Sequence, residues 1–230
     1  MRSLFFNFDR RGARYLLISG QASVLYGGAM FSEDIDLWID PSPANIRASL
    51  RALADVGSRV YKLTPPLTPF YFRRGHGFHF TLPIRNGPSY LDIMGKVPRL
   101  RRFDDVFRRA TIMKTAWGRL PVIAIEDLVE IKKTRRMSDY EVISNLVRIR
   151  IERRSPADPE VVAWALANTF RPEDLSWMLR TFRPRCAPDR PAVDLLRRNS
   201  RNLEGCRKAV LAEIALLQER DIRYWRKIIG

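Results

Sequence analysis

The stretch between residues 14 and 39 constrains the fold most, because it reads as a strand, a tight turn, a helix and a second strand. The apolar run 14–19 predicts the first strand, and Gly20 follows it directly. Helical character over 21–26 ends at a pair of glycines, and 35–39 predicts the next strand. Strand and helix that alternate at such short intervals are typical of an α/β layer arrangement.

Two acidic residues mark the beginning of the second predicted strand. Asp34 and Asp36 are separated only by Ile35, and a strand directs alternate side chains to one face, so we expect both carboxylates on the same side. Like charges held together lower stability unless a cation lies between them. Magnesium suits this pair, since it is a hard cation that binds carboxylate and phosphate oxygens.

The rest of the chain predicts an α/β domain over residues 1–125 and a helical region over 126–230 packed on it. In the first domain we expect a helix from Ser42-Pro43, a loop over 64–69, strands at 76–84 and 90–94 joined by Asn86-Gly87-Pro88, a hairpin of 111–115 with 120–123, and a helix start at Glu126-Asp127. In the second region we expect a break at 153–156, helices that begin at Pro159, Pro172 and Pro191, and a last helix over 203–229.

The charge of the chain favours a polyanionic partner. The 230 residues carry a net charge of +16, and residues 96–154 hold +8 of it, from 16 basic and 8 acidic side chains. No apolar stretch reaches the roughly 18 residues of a membrane span, so we expect no membrane partner. Cys186 and Cys206 are too few for a disulfide framework, and the predicted location is therefore cytoplasmic.

The order of these features resembles the nucleotidyltransferase superfamily with the DNA polymerase β-like catalytic fold. The residues that carry the resemblance are Ile18-Ser19-Gly20-Gln21-Ala22 for the turn and Asp34-Ile35-Asp36-Leu37 for the acidic strand. The family supplies a third acid from a later strand, and Leu91-Asp92-Ile93 fits that role. One departure is Ser19-Gly20, where relatives often have two glycines.

A second segment, 123–139, is similar to one shared by AbiEii-type toxins and related small bacterial nucleotidyltransferases. In those proteins a leucine near a helix start is followed by a lysine, then by a basic residue four positions on, and then by an aspartate. Lys132, Arg136 and Asp139 match this pattern, and the resemblance as a whole covers roughly residues 15–150.

The resemblance implies an α+β fold with a mixed sheet and flanking helices, and an enzyme that moves a nucleoside monophosphate from an NTP to an acceptor hydroxyl. It implies that Asp34, Asp36 and Asp92 are catalytic and bind two magnesium ions. The residues implied to bind the nucleotide are Ser19, Gly20, Gln21, Ser32, Lys132 and Arg136.

The sequence is compatible with more than one acceptor of the nucleotide. The basic charge favours RNA, with tRNA the natural acceptor of toxin-like relatives, and a toxin–antitoxin or phage-defence role would add a cognate antitoxin as partner. The alternatives are transfer to a partner protein or a small molecule, or a non-catalytic nucleic-acid-binding module. His76 and His79 lie three apart on a predicted strand, so they do not form a metal pair and are interpreted as structural.

Overall fold

The computed structural model describes residues 1–84, 87–153, 158–185 and 187–229. Within those residues it is an α+β protein with seven strands and eleven helices. The strands are β1 Tyr15–Ile18, β2 Ile35–Ile39, β3 Arg59–Val60, β4 Gly77–Ile84, β5 Gly87–Met94, β6 Thr111–Thr115 and β7 Gly118–Val122. The helices are α1 Arg2–Arg10, α2 Ser19–Tyr26, α3 Pro43–Asp55, α4 Pro69–Arg74, α5 Phe103–Phe107, α6 Ile125–Ile131, α7 Met137–Glu152, α8 Pro159–Asn168, α9 Pro172–Phe182, α10 Pro191–Arg198 and α11 Leu203–Ile229.

The seven strands form one mixed sheet in the order β3-β4-β5-β2-β1-β7-β6. Strand β2 pairs parallel with β5 and antiparallel with β1, and β1 pairs parallel with β7. The hairpins β4–β5 and β6–β7 and the short β3–β4 ladder are antiparallel. Strands β1 and β2 therefore lie in the interior of the sheet, where neighbouring strands on both sides hold their register.

The chain divides into two compact units. The first comprises Met1–Leu25, Met30–Ile131 and the C-terminal end from Arg226, and the second comprises Tyr26–Ala29 and Lys132–Trp225. The first contains the whole sheet, with β1 buried at all four positions. In that unit, the ring of Tyr15 packs against Phe5 and Phe8 of α1, with centroids 5.6 and 5.3 Å apart.

The second unit is helical, and its core comes from the inward faces of α7 to α11. The fully buried side chains include Ile143, Leu146, Leu175, Leu196 and Val210. Two of its acidic side chains form ion pairs within the unit. Asp174 accepts from Arg148 and Arg171, and Glu213 accepts from Arg190.

Most predicted element boundaries are confirmed. Strand β2 covers 35–39, Ser42 caps α3 by accepting from the backbone N–H of Asn45, and helices begin at Pro159, Pro172 and Pro191. The helical C-terminal part is also confirmed, with the last helix over Leu203–Ile229. The sequence interpretation missed α1, α4 and α5, because short helices with few periodic positions give weak patterns.

Some predictions differ from the structure or lie outside the described residues. The predicted turn at Asn86-Gly87-Pro88 is wrong in part, since Gly87 and Pro88 are the first residues of β5. Asn86, the break at 153–156 beyond Arg153, and Cys186 lie outside the described residues. The first compact unit extends to Ile131, six residues beyond the predicted domain end at 125. In the described part of the chain, no helix combines the length and apolar character needed to cross a membrane.

Candidate functional site

The acids of the predicted site lie on neighbouring strands of the first unit. The parallel ladder of β2 and β5 sets Asp36 directly opposite Asp92. Residues opposite each other in register point to the same face, and neighbouring strands are about 4.8 Å apart. Asp34 occupies the bend directly before β2. All three acids are partly buried, so they remain accessible to a ligand in solution.

One histidine joins this row from the next strand. His79 on β4 lies opposite Asp92 in the antiparallel ladder, and its Nδ1 is 2.7 Å from Oδ1 of Asp92. The side chains keep 28% and 20% of their surface exposed. His79 therefore belongs to the row of acids, and its interpretation as a structural residue overlooked this contact.

The turn after β1 is held against the segment that leads into β2. A Cβ on Gly20 would lie 2.1 Å from the hydroxyl of Ser32, closer than any side chain tolerates. Gln21 donates through Nε2 to the carbonyl of Ser32 at 2.9 Å, and Ser32 donates through Oγ to the carbonyl of Asp34 at 3.1 Å. The structure thus brings together the predicted nucleotide-binding residues of the turn, Ser32 and the first acid.

The residue that departs from the family pattern adopts an unusual conformation. Ser19 has a φ of 56°, in the left-handed region that glycine adopts without cost and other residues adopt at about 1–2 kcal/mol. Ile18, the residue before it, lies opposite Asp36 in the β1–β2 ladder. Ser19 begins the eight-residue helix α2, whose first N–H groups have no partner within the helix. The turn therefore presents a helix N-terminus beside the acidic strand.

On the other side of the acids, the site is lined by a lysine and two tyrosines. The backbone N–H of Tyr61 donates to the carbonyl of His79 at 3.2 Å, which continues the row of side chains beyond β4. The Tyr61 ring lies 5.0 Å from that of Tyr90 and 6.1 Å from that of His79. Nζ of Lys62 lies 5.0 Å from the Tyr61 ring centre. Tyr61, Lys62, His79 and Tyr90 therefore form one cluster, which contacts Asp92 through His79.

The charge of Lys62 is coupled to this cluster. A hydrogen bond with Tyr61 is the main cause that raises the pKa of Lys62, and the negative charges of Asp92 and Asp34 add to it, while partial desolvation acts in the opposite direction. Lys62 is therefore a cation whose charge interacts with two of the three predicted metal-binding acids. The side chain is exposed, so solvent screens the interaction.

The other predicted nucleotide-binding residues lie in the second unit. Lys132 donates through Nζ to Asp139 at 2.7 Å, and Arg136 donates through Nε to the same carboxylate at 3.0 Å. Thr134 also donates its hydroxyl to Asp139. Lys132 and Asp139 keep only 8% and 6% of their side-chain surface exposed. The pattern of Lys132, Arg136 and Asp139 is thus a closed hydrogen-bonded cluster, and triphosphate binding by these residues stays a prediction.

Burial and ion pairing act against each other on Asp139. Burial alone raises the pKa of its carboxyl group, but the charge and hydrogen bond of Lys132, with those of Thr134 and Arg136, outweigh it and hold the pKa below its ordinary value. A carboxylate stabilised in this way is ionised throughout the neutral range. Lys132 and Asp139 therefore form a buried ion pair, and removal of one partner would leave the other charge buried and uncompensated.

The geometry of the described ranges does not itself outline a metal centre, since no three His, Cys, Asp or Glu side chains there converge closely enough to hold an ion. The donor chemistry nevertheless fits a hard cation. Asp36 and Asp92 offer carboxylate oxygens across one strand spacing, and Asp34 lies in the bend before β2, two residues ahead of Asp36. A cation would offset the repulsion that keeps like charges apart.

Four residues beside the acids were missed from the sequence, namely Tyr61, Lys62, His79 and Tyr90. The position of His79 follows from the β4–β5 hairpin, because pairing of Ile84 with Gly87 sets residue 79 opposite residue 92. The predicted turn was placed too late to give that register. Lys62 follows a strand of two residues, which is too short for any periodic pattern.

Comparisons with known proteins give a match among solved structures but none to a family model or a curated protein. No family model matches the chain, and a search of curated proteins found no match. The fold is similar to the crystal structure of JHP933 from Helicobacter pylori at 13% sequence identity, with 99% of this chain and 93% of that chain covered and a TM-score of 0.44.

Proposed function

We propose that this chain is a magnesium-dependent nucleotidyltransferase with a polymerase β-like catalytic domain. The observation that carries the proposal is the register that sets Asp36 opposite Asp92, with Asp34 two residues earlier and the Ser19-Gly20 turn at the end of the adjoining strand. Nucleotidyl transfer needs positioning and charge neutralisation more than covalent chemistry by the protein. Carboxylates beside a helix N-terminus supply both.

The residues of the first unit divide the work between the two substrates. The backbone N–H groups at the start of α2 would bind phosphate oxygens of the NTP, with Ser32 fixing the turn beneath them. Asp34 and Asp36 would hold the magnesium that neutralises the triphosphate, and Asp92 would complete the site for the magnesium that makes the acceptor hydroxyl easier to deprotonate. The hydroxyl oxygen then attacks the α-phosphorus, the bond to the β-phosphate oxygen breaks, and pyrophosphate leaves.

The acceptor that the charge favours is RNA, with tRNA as the first choice to test. The net charge of +16 supports a polyanionic partner, because lysine and arginine contacts to phosphates release counterions. A toxin role with a cognate antitoxin belongs to the same proposal. Label that enters a protein band or a small molecule would instead select a protein or small-molecule acceptor.

The test is transfer of labelled nucleotide. The protein is incubated with each α-³²P-labelled NTP, magnesium and total tRNA, and a parallel reaction carries the label on the γ-phosphate. We expect α-label but no γ-label in RNA, because pyrophosphate leaves with the γ-phosphate. Asp36→Ala is expected to lower transfer by about 10³-fold or more. No Asp36-dependent transfer to any acceptor would overturn the proposal.

The control is another acid of the same unit. Asp105 lies on α5, where its carboxylate is 40% exposed and pairs only at the surface with Arg108. Asp105→Ala removes one negative charge, as Asp36→Ala does, and is expected to leave transfer unchanged. Equal losses in both variants would point to general charge or stability and not to the acids of the site.

A second candidate function is a non-catalytic nucleic-acid-binding module. The observation that favours it is that His79 already occupies one oxygen of Asp92, the acid assigned to acceptor activation. This alternative predicts salt-dependent RNA binding that survives both Asp34→Ala and Asp36→Ala, with no magnesium-dependent turnover. The transfer assay and an RNA-binding assay on the same variants separate the two functions.

A further inference from the structure

A cluster of Tyr61, Lys62, His79 and Tyr90 adjoins the acids on the side away from the Ser19-Gly20 turn. The sheet order β3-β4-β5-β2-β1 fixes this arrangement, since β1 leads into the turn and β3 forms the opposite edge. Between them, Asp36 lies on β2, Asp92 on β5 and His79 on β4. The phosphate-binding side and the tyrosine cluster therefore flank the acids from two directions.

The cluster has the chemical composition of a surface that binds nucleotides. Tyr61 and Tyr90 have ring centroids 5.0 Å apart at an interplanar angle of 45°, so their faces are inclined to each other and do not stack. Tyr90 is 36% exposed. Aromatic faces that are not stacked on one another can receive a base, and base stacking is independent of sequence because every base has a π-face.

Lys62 supplies the charge that such a surface needs. It is exposed and follows the edge strand β3, and its Nζ lies 5.0 Å from the Tyr61 ring centre. The neighbouring side chains Val60 and Leu63 are exposed as well, at 46% and 104%. An exposed lysine beside a tyrosine ring and apolar neighbours can combine a phosphate contact with a stacking partner, as single-strand binding surfaces do.

The position of the cluster selects which substrate it binds. Strands are about 4.8 Å apart, so Tyr61 on the far side of β4 is roughly 10 Å from Asp92 across the sheet. In the proposed chemistry the triphosphate occupies the turn beside Asp36, whereas Asp92 serves the acceptor. A group that continues the row beyond Asp92 is therefore on the acceptor side.

We propose that Tyr61, Lys62 and Tyr90 form a platform for the single-stranded end of an RNA acceptor, with His79 linking the platform to Asp92. The tyrosines stack on a base near the reacting end, and Lys62 contacts a phosphate of that strand. His79 acts as a positioning residue, because its Nδ1 fixes the Asp92 carboxylate that faces the acceptor. The assignment to the acceptor rests on the proposed function, whereas RNA binding itself is measured without it.

The experiment measures binding of a short fluorescent single-stranded RNA to the full chain without NTP or magnesium. Lys62→Ala and Tyr90→Ala are each expected to weaken binding by about tenfold, and Tyr90→Phe is expected to retain it, because the phenyl ring still stacks. Lys62→Ala should also lower the slope of log K against log salt by about 0.7, the value for one phosphate contact with a single strand. Duplex RNA of the same sequence is expected to bind more weakly, since its bases are not free to stack.

Matched controls come from the same unit. Lys114 is an exposed lysine on β6, at the opposite edge of the sheet, and Phe6 is an aromatic side chain of α1 with 65% exposure. Lys114→Ala and Phe6→Ala are expected to bind the RNA as the wild type does. Equal binding by the platform variants and these controls would overturn the proposal.

A second measurement separates the acceptor from the NTP. Binding of a non-hydrolysable NTP analogue with magnesium is expected to be unchanged in Lys62→Ala and Tyr90→Ala. If these variants lose the analogue and keep the RNA, the platform belongs to the NTP and the proposal is overturned. If the platform binds RNA as described but no transfer occurs, the platform stands and the nucleotidyltransferase proposal fails.

Discussion

Two carboxylate clusters of this chain differ in how deeply they are buried. In the second unit, Asp139 receives Lys132, Thr134 and Arg136, and the central ion pair is more than nine-tenths buried. In the first unit, Asp36 and Asp92 lie opposite each other on adjacent strands and are only partly buried. From this difference we infer separate roles for the two sequence patterns: we expect the Lys132 cluster to stabilise the helical unit, and we propose the acids of the sheet as the ligand site.

The largest expected effect is on stability at the closed cluster. Lys132→Ala leaves Asp139 charged and buried with its main partner removed, which is expected to cost about 3 kcal/mol or more of unfolding free energy. Urea denaturation measures it, with Lys208→Ala as control, because Lys208 forms an exposed pair with Glu204 and is 77% exposed. Replacing both partners, by Lys132→Met with Asp139→Leu, is expected to be nearly neutral.

A ligand-binding role of Lys132 would contradict this contrast between the two clusters. In that case Lys132→Ala would be as stable as Lys208→Ala and would lose affinity for NTP. The predicted triphosphate role of Lys132 and Arg136 would then hold, and the ion pair with Asp139 would be exchanged for phosphate contacts during binding.

The next effect concerns the turn beside the open acids. Gly20→Ala would set a Cβ 2.1 Å from the hydroxyl oxygen of Ser32, and we expect a loss of about 1–3 kcal/mol together with weaker NTP binding. Gly77→Ala is the control, because its nearest neighbours would be 3.7 Å away. Ser32→Gly in the Gly20→Ala background is expected to restore the unfolding free energy, because it removes the atoms that the new Cβ would meet. A double variant as impaired as Gly20→Ala would show that the clash is not the cause.

A smaller effect of opposite sign is expected at Ser19. A φ of 56° raises the conformational energy of a serine by about 1 kcal/mol, whereas glycine adopts it without this cost. Ser19→Gly is therefore expected to increase the free energy of unfolding by up to that amount. The carbonyl of Ser19 still accepts from the hydroxyl of Ser23, since that contact uses the backbone. Thermal and urea unfolding measure the gain. A loss of stability would mean that the hydroxyl of Ser19 makes a necessary contact.

The smallest effect is a difference in acid sensitivity. The pKa of Asp139 is held below its ordinary value of 3.8 in the folded state, so its contribution is present above that value and is lost as the pH falls through the folded pKa. We expect the unfolding free energy of the wild type to fall more steeply below about pH 4 than that of Lys132→Met with Asp139→Leu. Parallel curves would contradict a lowered pKa at Asp139.

Much of the sheet and the first residues of several helices could be predicted from the sequence. Alternation and turn residues placed β2 over 35–39, and prolines in first turns placed the starts of α8, α9 and α10. Asp34, Asp36 and Asp92 were grouped by resemblance, and the register of β2 with β5 sets two of them opposite each other.

What the sequence did not reveal depends on contacts between distant segments. The approach of His79 to Asp92 needs the exact hairpin register, and a turn misplaced by one residue directs alternate side chains to the wrong face. The burial of the Lys132–Asp139 ion pair depends on the packing of α7 beside Lys132, which no local sequence pattern encodes. Lys62 lies after a strand too short to be recognised.

The most direct test of the contrast between the two clusters is cation binding. Mn²⁺, as a paramagnetic substitute for Mg²⁺, is titrated with a non-hydrolysable NTP analogue into the wild type, Asp36→Asn, Asp92→Asn and the Lys132→Met, Asp139→Leu variant, and free Mn²⁺ is followed by electron paramagnetic resonance. We predict that Asp36→Asn and Asp92→Asn each lose the tight binding, whereas the variant of the closed cluster keeps it. Mn²⁺ and nucleotide binding that is unchanged in both Asn variants would contradict the assignment of the open acids as the ligand site.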